Sequence, residues 1–302
     1  MFKSKNSMSR ALVQRETTAG YLFLLPSLFF FVTFVLYPMF LCIYTSFFDS
    51  NMGKNAVDVF VGLGNYKELF RDKLFLGALK NTVVIVVVAV PTVCAFSLWV
   101  ATAIYDMKPA LTSAFRCIFY LPVVTGSVAV TVVWKWMYNS RYGVFNYLFK
   151  SLGIIDQNIN WLGDARFALW CIILILFTTS VGQPIVLYVS ALGNVDHSLV
   201  EAAQVDGANR RQVFWKIKWA QIMPTTLYIL IITTINSFQC FALIQLLTSG
   251  GPTHSTDTIM YYIYYTAFKL YRYGYGNAMG VVLMIIIAVL SAVQFKLGQQ
   301  SD

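Results

Sequence analysis

The stretch NTVVIVVVAVPTVCAFSLWVATAIY, residues 81–105, decides the fold, because it contains no Asp, Glu, Lys or Arg over a length that can cross a bilayer. A membrane-spanning helix needs about 20 consecutive apolar residues. These stretches are apolar throughout, whereas the strands of a membrane barrel alternate over about 10 residues. The sequence therefore predicts an all-α, polytopic membrane protein. Five further charge-free runs lie at 17–48, 117–134, 167–195, 219–256 and 273–295.

The composition agrees with a membrane protein, since 58% of the residues are hydrophobic and only 12% are charged. A soluble domain carries about 25% charged residues. We predict a six-helix transmembrane domain over residues 21–296, with tails at 1–20 and 297–302. The basic residues before the first apolar run precede an uncleaved helix rather than a signal peptide, because that run is too long. The predicted transmembrane helices lie near 21–47, 80–104, 114–137, 168–193, 225–248 and 276–296.

Several other functions find no support in the sequence. The net charge of +9 is spread over loops, which is ordinary beside anionic lipid, so no nucleic-acid partner is predicted. The five cysteines fall in predicted spans without a CxxC pair, and neither a disulfide nor a metal site is inferred. No catalytic constellation is present. Gly53-Lys54 is followed by Asn55, so the chain lacks the phosphate-binding loop of an ATPase.

The segment 194–224 is the most polar stretch between two predicted spans. Ser198 and Glu201 have the spacing of a capping box that begins a helix, and Gly207 is placed to end it in a left-handed conformation. A second, amphipathic segment follows, and Pro224 stands where the next span is predicted to begin. We predict a helix–turn–helix at the membrane surface. Physical reasoning alone leaves open whether it docks another protein or lies on lipid headgroups.

Three short motifs in this loop carry a family resemblance: Glu201-Ala202-Ala203, Asp206-Gly207-Ala208 and Ile222-Met223-Pro224. Together they resemble the EAA loop in the permease subunits of ATP-binding-cassette importers. Elsewhere, Gly64-Asn65-Tyr66 and LIQLLTSGGP at 243–252 are similar to the carbohydrate-uptake branch, of the maltose-transporter type. The chain lacks the extra amino-terminal helices and the large external insertion of that prototype.

The resemblance implies both a topology and a set of partners. The loop and both termini face the cytoplasm of a bacterial cell, a point that the 22 Lys and Arg, divided evenly between the two sides, do not decide. The partners are a second homologous permease, two ATPase subunits, an extracytoplasmic solute-binding protein and membrane lipid. ATP and Mg are used by the ATPase, and this chain binds no cofactor. The implied ATPase-coupling residues are Glu201, Ala202, Ala203, Asp206 and Gly207.

Polar residues within the fifth predicted span recur at helical spacing. Thr233, Asn236, Ser237 and Cys240 stand at i, i+3, i+4 and i+7, which places them on one face of a continuous helix. Such residues either line a water-filled path or form hydrogen bonds between helices. The resemblance favours a solute site on this face, joined by Gly182 and Gln183 from the fourth span.

The predicted function is inward transport of a sugar or oligosaccharide, driven by a separate ATPase. The alternative is an ion-driven secondary transporter of a small polar solute. That mechanism usually places ionisable groups inside the membrane, and the six charge-free runs contain no Asp, Glu, Lys or Arg. A sodium site built from backbone carbonyls would escape this test.

Overall fold

The computed structural model describes residues 17, 19–50 and 58–299, and helices dominate them. π-Helical turns at Val32–Leu36, Phe214–Lys218 and Tyr265–Lys269 lie within or directly continue the helices α1, α10 and α13. The helices are α1 (Ala19–Thr45), α2 (Gly64–Leu69), α3 (Lys73–Tyr105), α4 (Pro109–Val124), α5 (Ser127–Met137), α6 (Val144–Ser151), α7 (Ala168–Ser180), α8 (Gly182–Gly193), α9 (His197–Val205), α10 (Arg210–Val213), α11 (Trp219–Phe238), α12 (Ala242–Leu247), α13 (Ile259–Tyr264) and α14 (Tyr273–Gln299).

Two very short strands accompany the helices. β1 (Phe48–Asp49) and β2 (Val59–Phe60) pair antiparallel, with Phe48 opposite Phe60 and Asp49 opposite Val59. The Asn65 amide donates to the carbonyls of Ser46 and Phe48, at 2.8 and 2.9 Å, and so fixes the start of α2 against β1. This small pair leaves the protein in the all-α class.

Five helical stretches are long and apolar enough to cross a membrane: α1, α3, α7–α8, α10–α12 and α14. The pair α4–α5 reaches the same length and apolarity jointly, but the two helices meet at 95°. Counted as one broken span, this pair completes the six predicted spans, and the six-span all-α fold is confirmed.

The prediction of one helix near 114–137 is wrong. Thr125 and Gly126 adopt extended backbone, with ψ of 126° and 140°, and they separate α4 from α5. Helix α4 also begins at Pro109, earlier than predicted, so Arg116 lies inside the helix rather than at its edge.

The prediction of one helix over 225–248 is also wrong. Helix α11 begins at Trp219, so Pro224 lies inside it, and α11 ends at Phe238. Residues 239–241 interrupt the span before α12. The Thr258 hydroxyl donates to the Cys240 carbonyl at 2.7 Å, which satisfies a backbone group that the interruption exposes. Hydropathy did not reveal this interruption, because no Asp, Glu, Lys or Arg stands between Trp219 and Thr256.

The outermost described helices extend slightly past the helix ends predicted near 21 and 296. The continuous described part of α1 starts at Ala19 and α14 continues to Gln299, while the bounds of the domain as a unit, 21–296, stay a prediction. Most of the predicted tail 1–20, and residues 300–302 of the tail 297–302, lie outside the described residues.

Helix α3 forms the centre of the packing. It shares a buried cluster with α8 and α11 that includes Ala101, Tyr188 and Ile229. The Ser97 hydroxyl donates to the Val181 carbonyl at 3.3 Å, at the junction of α7 and α8. In contrast, the apolar window of α1 buries no residue, and α1 is held to α14 by the Asn277 amide, which donates to the Thr45 hydroxyl at 2.7 Å.

Candidate docking surface and polar cavity

Helix α9 is the exposed element of the 194–224 loop, and Asp196 begins it. The Asp196 carboxylate accepts from the Ser198 N–H at 2.8 Å and from the Ser198 hydroxyl at 2.7 Å. These hydrogen bonds hold the pKa of Asp196 below its usual range. The predicted capping box of Ser198 and Glu201 is therefore wrong, because the residue two positions earlier caps the helix.

A glycine ends α9 in the way that the sequence predicts. Gly207 has φ of 83°, a left-handed conformation that favours glycine. The Ala208 N–H donates to the Ala203 carbonyl at 2.9 Å, and the Gly207 N–H donates to the Gln204 carbonyl at 3.0 Å. This pair of bonds is a Schellman motif, which satisfies the last carbonyls of the helix and turns the chain sharply.

The five predicted coupling residues lie together on this exposed element. Glu201, Ala202, Asp206 and Gly207 are exposed, and Ala203 is half-buried. Helix α9 contains no buried residue, and its apolar Leu199 and Val205 are 50% and 87% exposed. An exposed helix that combines small, apolar and acidic side chains suits a protein partner.

The sequence predicted a separate surface helix in the second half of the loop, and this prediction is wrong. Asn209 and Gln212 form a reciprocal capping box, with distances of 2.8 and 2.9 Å, that begins α10. The helix then continues through a π-helical turn into α11 as part of the stretch Arg210–Leu247. Val213 is buried while Arg210 and Arg211 are exposed, so the predicted amphipathic character is present. The loop therefore connects rigidly to a span.

A cavity of about 550 Å³ lies between α9 and the end of α3. Charged groups of both signs line it, including Asp106, Arg210 and Lys218. The Lys218 ammonium lies 5.0 Å from the centroid of the Tyr105 ring. This cavity leaves space behind α9 on the side that faces the spans.

A smaller polar cavity, of about 160 Å³, lies between α4, the α7–α8 junction and α11. Among the predicted solute residues, Gln183, Thr233 and Asn236 line it. Within the described residues these three side chains have no hydrogen-bond partner, so their polar groups are available to a ligand. Sugar hydroxyls are matched by such amide and hydroxyl groups.

The remaining predicted solute residues lie elsewhere. Ser237 and Cys240 are buried away from the cavity, and Cys240 stands in the interruption after α11, so the predicted single face does not extend to it. Gly182 is buried where α8 meets α4, and a side chain there would collide with the Phe119 carbonyl. This glycine permits close packing of the two helices.

Two polar residues that line the cavity were absent from the predicted site, Thr179 and Ser180. The Thr179 hydroxyl donates to the carbonyls of its own helix at 3.0 and 3.1 Å, which leaves its oxygen lone pairs free to accept. Pro184 has no N–H, so the helical hydrogen bond to the Ser180 carbonyl cannot form. The sequence signal for both was their position just before Gly182-Gln183-Pro184.

Comparison with known proteins agrees with this geometry. The probable ABC transporter permease protein YesP of Bacillus subtilis (strain 168) is 32% identical over 94% of this chain and 91% of its own length. The lactose transport system permease protein LacF of Rhizobium radiobacter is 33% identical over 91% of this chain and 92% of its own. The named relatives are permease proteins rather than enzymes.

A crystal structure of a bacterial alginate ABC transporter, in complex with an alginate pentasaccharide-bound periplasmic protein, has a chain of the same fold. The TM-score is 0.80 at 24% identity, and the match covers 93% of each chain. Residues 61–299 match the family described as binding-protein-dependent transport system inner membrane component. Together with the apolar spans, this match places the chain in the plasma membrane as a multi-pass protein. The chain belongs to the family of binding-protein-dependent transport system inner membrane components.

Proposed function

We propose that this chain is the permease subunit of an ATP-binding-cassette importer that moves a sugar or oligosaccharide into the cytoplasm. The observation that carries the proposal is the direct connection between an exposed loop helix, α9, and the span α11, which contributes Thr233 and Asn236 to the polar cavity. LacF, a relative of this chain, belongs to a lactose transport system.

Helix α9 is the contact for the ATPase. Glu201, Ala202, Ala203, Asp206 and Gly207 dock on that subunit, which places the loop and both termini in the cytoplasm. ATP and Mg bind to the two ATPase subunits, and this chain binds no cofactor. When the ATPases close, they pull α9, and the capped turn at Gly207 transmits the displacement to α10 and α11. The rigid Schellman motif and the continuous helix after Arg210 support this transmission.

The solute passes along the polar cavity. Gln183, Thr233 and Asn236 bind its hydroxyls, and Thr179 contributes an acceptor. Gly182, Ser237 and Cys240 support the packing around this site. A second, homologous permease covers the open side of the cavity and completes the path. An extracytoplasmic solute-binding protein delivers the solute on the side opposite α9. Membership of the family leaves the ion-driven alternative without support.

Co-purification of the ATPase tests the docking surface. Gly207 and Gly153 have φ of 83° and 68°, and each stands in open space. Their N–H groups both donate to a carbonyl of the preceding helix at 3.0 Å. Proline can adopt neither conformation and removes either bond. We expect Gly207→Pro to lose the ATPase from detergent-solubilised membranes, whereas Gly153→Pro retains it. Equal recovery with both variants contradicts a contact through α9.

A further inference from the structure

Arg116 is a charged residue inside α4, the first helix of the broken span α4–α5. It lies eight residues after Lys108, which precedes the first turn of α4, and this spacing corresponds to about 12 Å along the helix. A charged side chain within a span is costly unless it faces protein, water or a ligand. An arginine at this position is therefore a candidate functional group.

The Arg116 side chain lines an open cavity of about 470 Å³ between α4 and α8, in which Cys117 and Tyr120 are exposed. Its Nε atom is shielded from solvent and has no hydrogen-bond partner in the described part of the chain. Among those residues no carboxylate lies within ion-pair distance of it. The remaining lining residues are Cys117, Tyr120, Gln183, Val186 and Leu187.

The Arg116 cavity adjoins the polar cavity of the proposed solute path. Gln183 and Leu187 line both of them. Arg116 is the one charged residue among the residues that line these two cavities, and no Asp or Glu is present to neutralise it. The start of α4 and the end of α8 both lie on the side of α9, so the cation stands between the polar cavity and that side.

We propose that Arg116 binds an anionic group of the transported solute, so that the solute is a sugar that carries a carboxylate, sulfate or phosphate. This inference rests on the proposed function. Gln183, Thr233 and Asn236 bind the hydroxyls, and the guanidinium receives the charged end. A guanidinium presents paired donors in a plane that matches the oxygens of these anions. The buried, unpartnered Nε and the absence of a carboxylate in both linings carry the assignment.

A native thiol in the same cavity supplies the test. Cys117 lines the Arg116 cavity and is exposed, whereas the other four cysteines are half-buried or buried. The complete importer, purified with its partners in nanodiscs of zwitterionic lipid, is labelled with a maleimide in the presence of glucuronate, glucose 6-phosphate or glucose. A Cys117→Ser variant identifies the signal from this thiol.

We expect the two anionic sugars to slow labelling of Cys117 by about fivefold or more, and glucose to leave it unchanged. Arg116→Gln abolishes this protection, and Arg116→Lys, which keeps the charge, retains part of it. Lys108→Gln, which removes a charge outside the cavity, leaves the protection intact.

Three results overturn the proposal. The first is equal protection by glucose and the anionic sugars, or no protection by any of them. The second is protection that persists in Arg116→Gln. The third is protection by nanodiscs of anionic lipid without sugar, which assigns the cation to a lipid headgroup. Labelling of Cys117 is measured only in preparations that retain the ATPase. A negative result then contradicts the role of Arg116 alone, whereas loss of the ATPase would contradict the importer assignment.

Discussion

The backbone N–H of Asp196 donates to the side-chain carbonyl of Gln221 at 3.0 Å. Asp196 begins the exposed helix α9, and Gln221 lies in the first turn of α11, the span that also carries Thr233 and Asn236. The hydrogen bond therefore connects the two ends of the loop and joins the start of α9 directly to the span. A displacement of α9 reaches α11 through this bond as well as through the chain.

Removal of this bond should weaken coupling without loss of the ATPase. We predict that Gln221→Leu raises the number of ATP molecules hydrolysed per solute imported about fivefold, because one hydrogen bond contributes about 1 kcal/mol. The ratio is measured in proteoliposomes that contain the whole importer. Gln239→Leu, at the exposed first position of the interruption after α11, is the control and should leave the ratio unchanged. An unchanged ratio in Gln221→Leu would show that this bond carries no coupling.

Loss of the Asn236 amide should weaken solute recognition selectively. We predict that Asn236→Ala raises KM for uptake about tenfold, because one polar partner of the solute is removed from the cavity. Ser237→Ala is the neighbouring control, since Ser237 is buried outside the cavity lining. If Ser237→Ala raises KM as much as Asn236→Ala does, the polar groups of α11 act in packing rather than in solute binding.

The close approach of α8 to α4 predicts a stability effect. We predict that Gly182→Ala destabilises the protein by about 2 kcal/mol, because the new methyl group collides with the Phe119 carbonyl. Gly77→Ala in α3 is the matched control, since no atom lies within 4 Å of the added methyl group. That control should stabilise the protein by about 1 kcal/mol through helix propensity. Thermal unfolding in detergent compares the two, and equal melting temperatures would contradict the packing role.

Asp72 confers a pH dependence on the side opposite α9. Burial alone would raise its pKa, but four hydrogen bonds together outweigh burial and lower the pKa from 3.8. Two come from the hydroxyls of Tyr262 and Tyr275, at 2.7 and 2.9 Å, and two from the backbone N–H groups of Leu74 and Phe75. The ionised carboxylate therefore stabilises the fold above pH 3.8, and this contribution is lost as the pH falls through the lowered pKa. It should shrink when both tyrosines become phenylalanine, because only the backbone hydrogen bonds from Leu74 and Phe75 then remain.

Melting temperatures at several pH values check this prediction. The native protein should be more stable at pH 7 than the variant that combines Tyr262→Phe and Tyr275→Phe, and the difference should narrow below pH 3.8. Tyr264→Phe, which removes a hydroxyl not bonded to Asp72, should follow the native protein. A difference that stays constant with pH would mean that the tyrosines act by packing and not through the carboxylate.

The charge-free run at 81–105 predicted a span that the structure places at Lys73–Tyr105, because length and apolarity decide which segments enter a bilayer. The left-handed turn at Gly207 was equally predictable, since glycine after a short helix favours it. The interruption at 239–241 and the 95° bend between α4 and α5 were not predictable from hydropathy. Apolarity indicates how long a segment can lie within the membrane. It does not indicate where the helix axis bends or where the helix is interrupted.

The candidate site divides in the same way. Helical spacing placed Thr233, Asn236 and Cys240 on one face, and the relation holds for the first two residues because α11 continues past them. It fails for Cys240, where the helix has ended. The position of Arg116 inside α4 was also not predictable from the sequence. Its charge ends an apolar run, so the sequence placed it at the edge of a span rather than inside a helix.

By itself the sequence determined that the chain spans the membrane six times as helices, and that a capped polar loop separates two of the spans. Apolar length and local capping chemistry suffice for both, since each depends on neighbours in the chain. Only the tertiary structure decided that Gln183 meets Asn236 in one cavity, that Arg116 borders the next cavity, and that Gln221 holds α9. These contacts depend on the distance between separate spans. That distance is set by the packing of side chains that are far apart in the sequence.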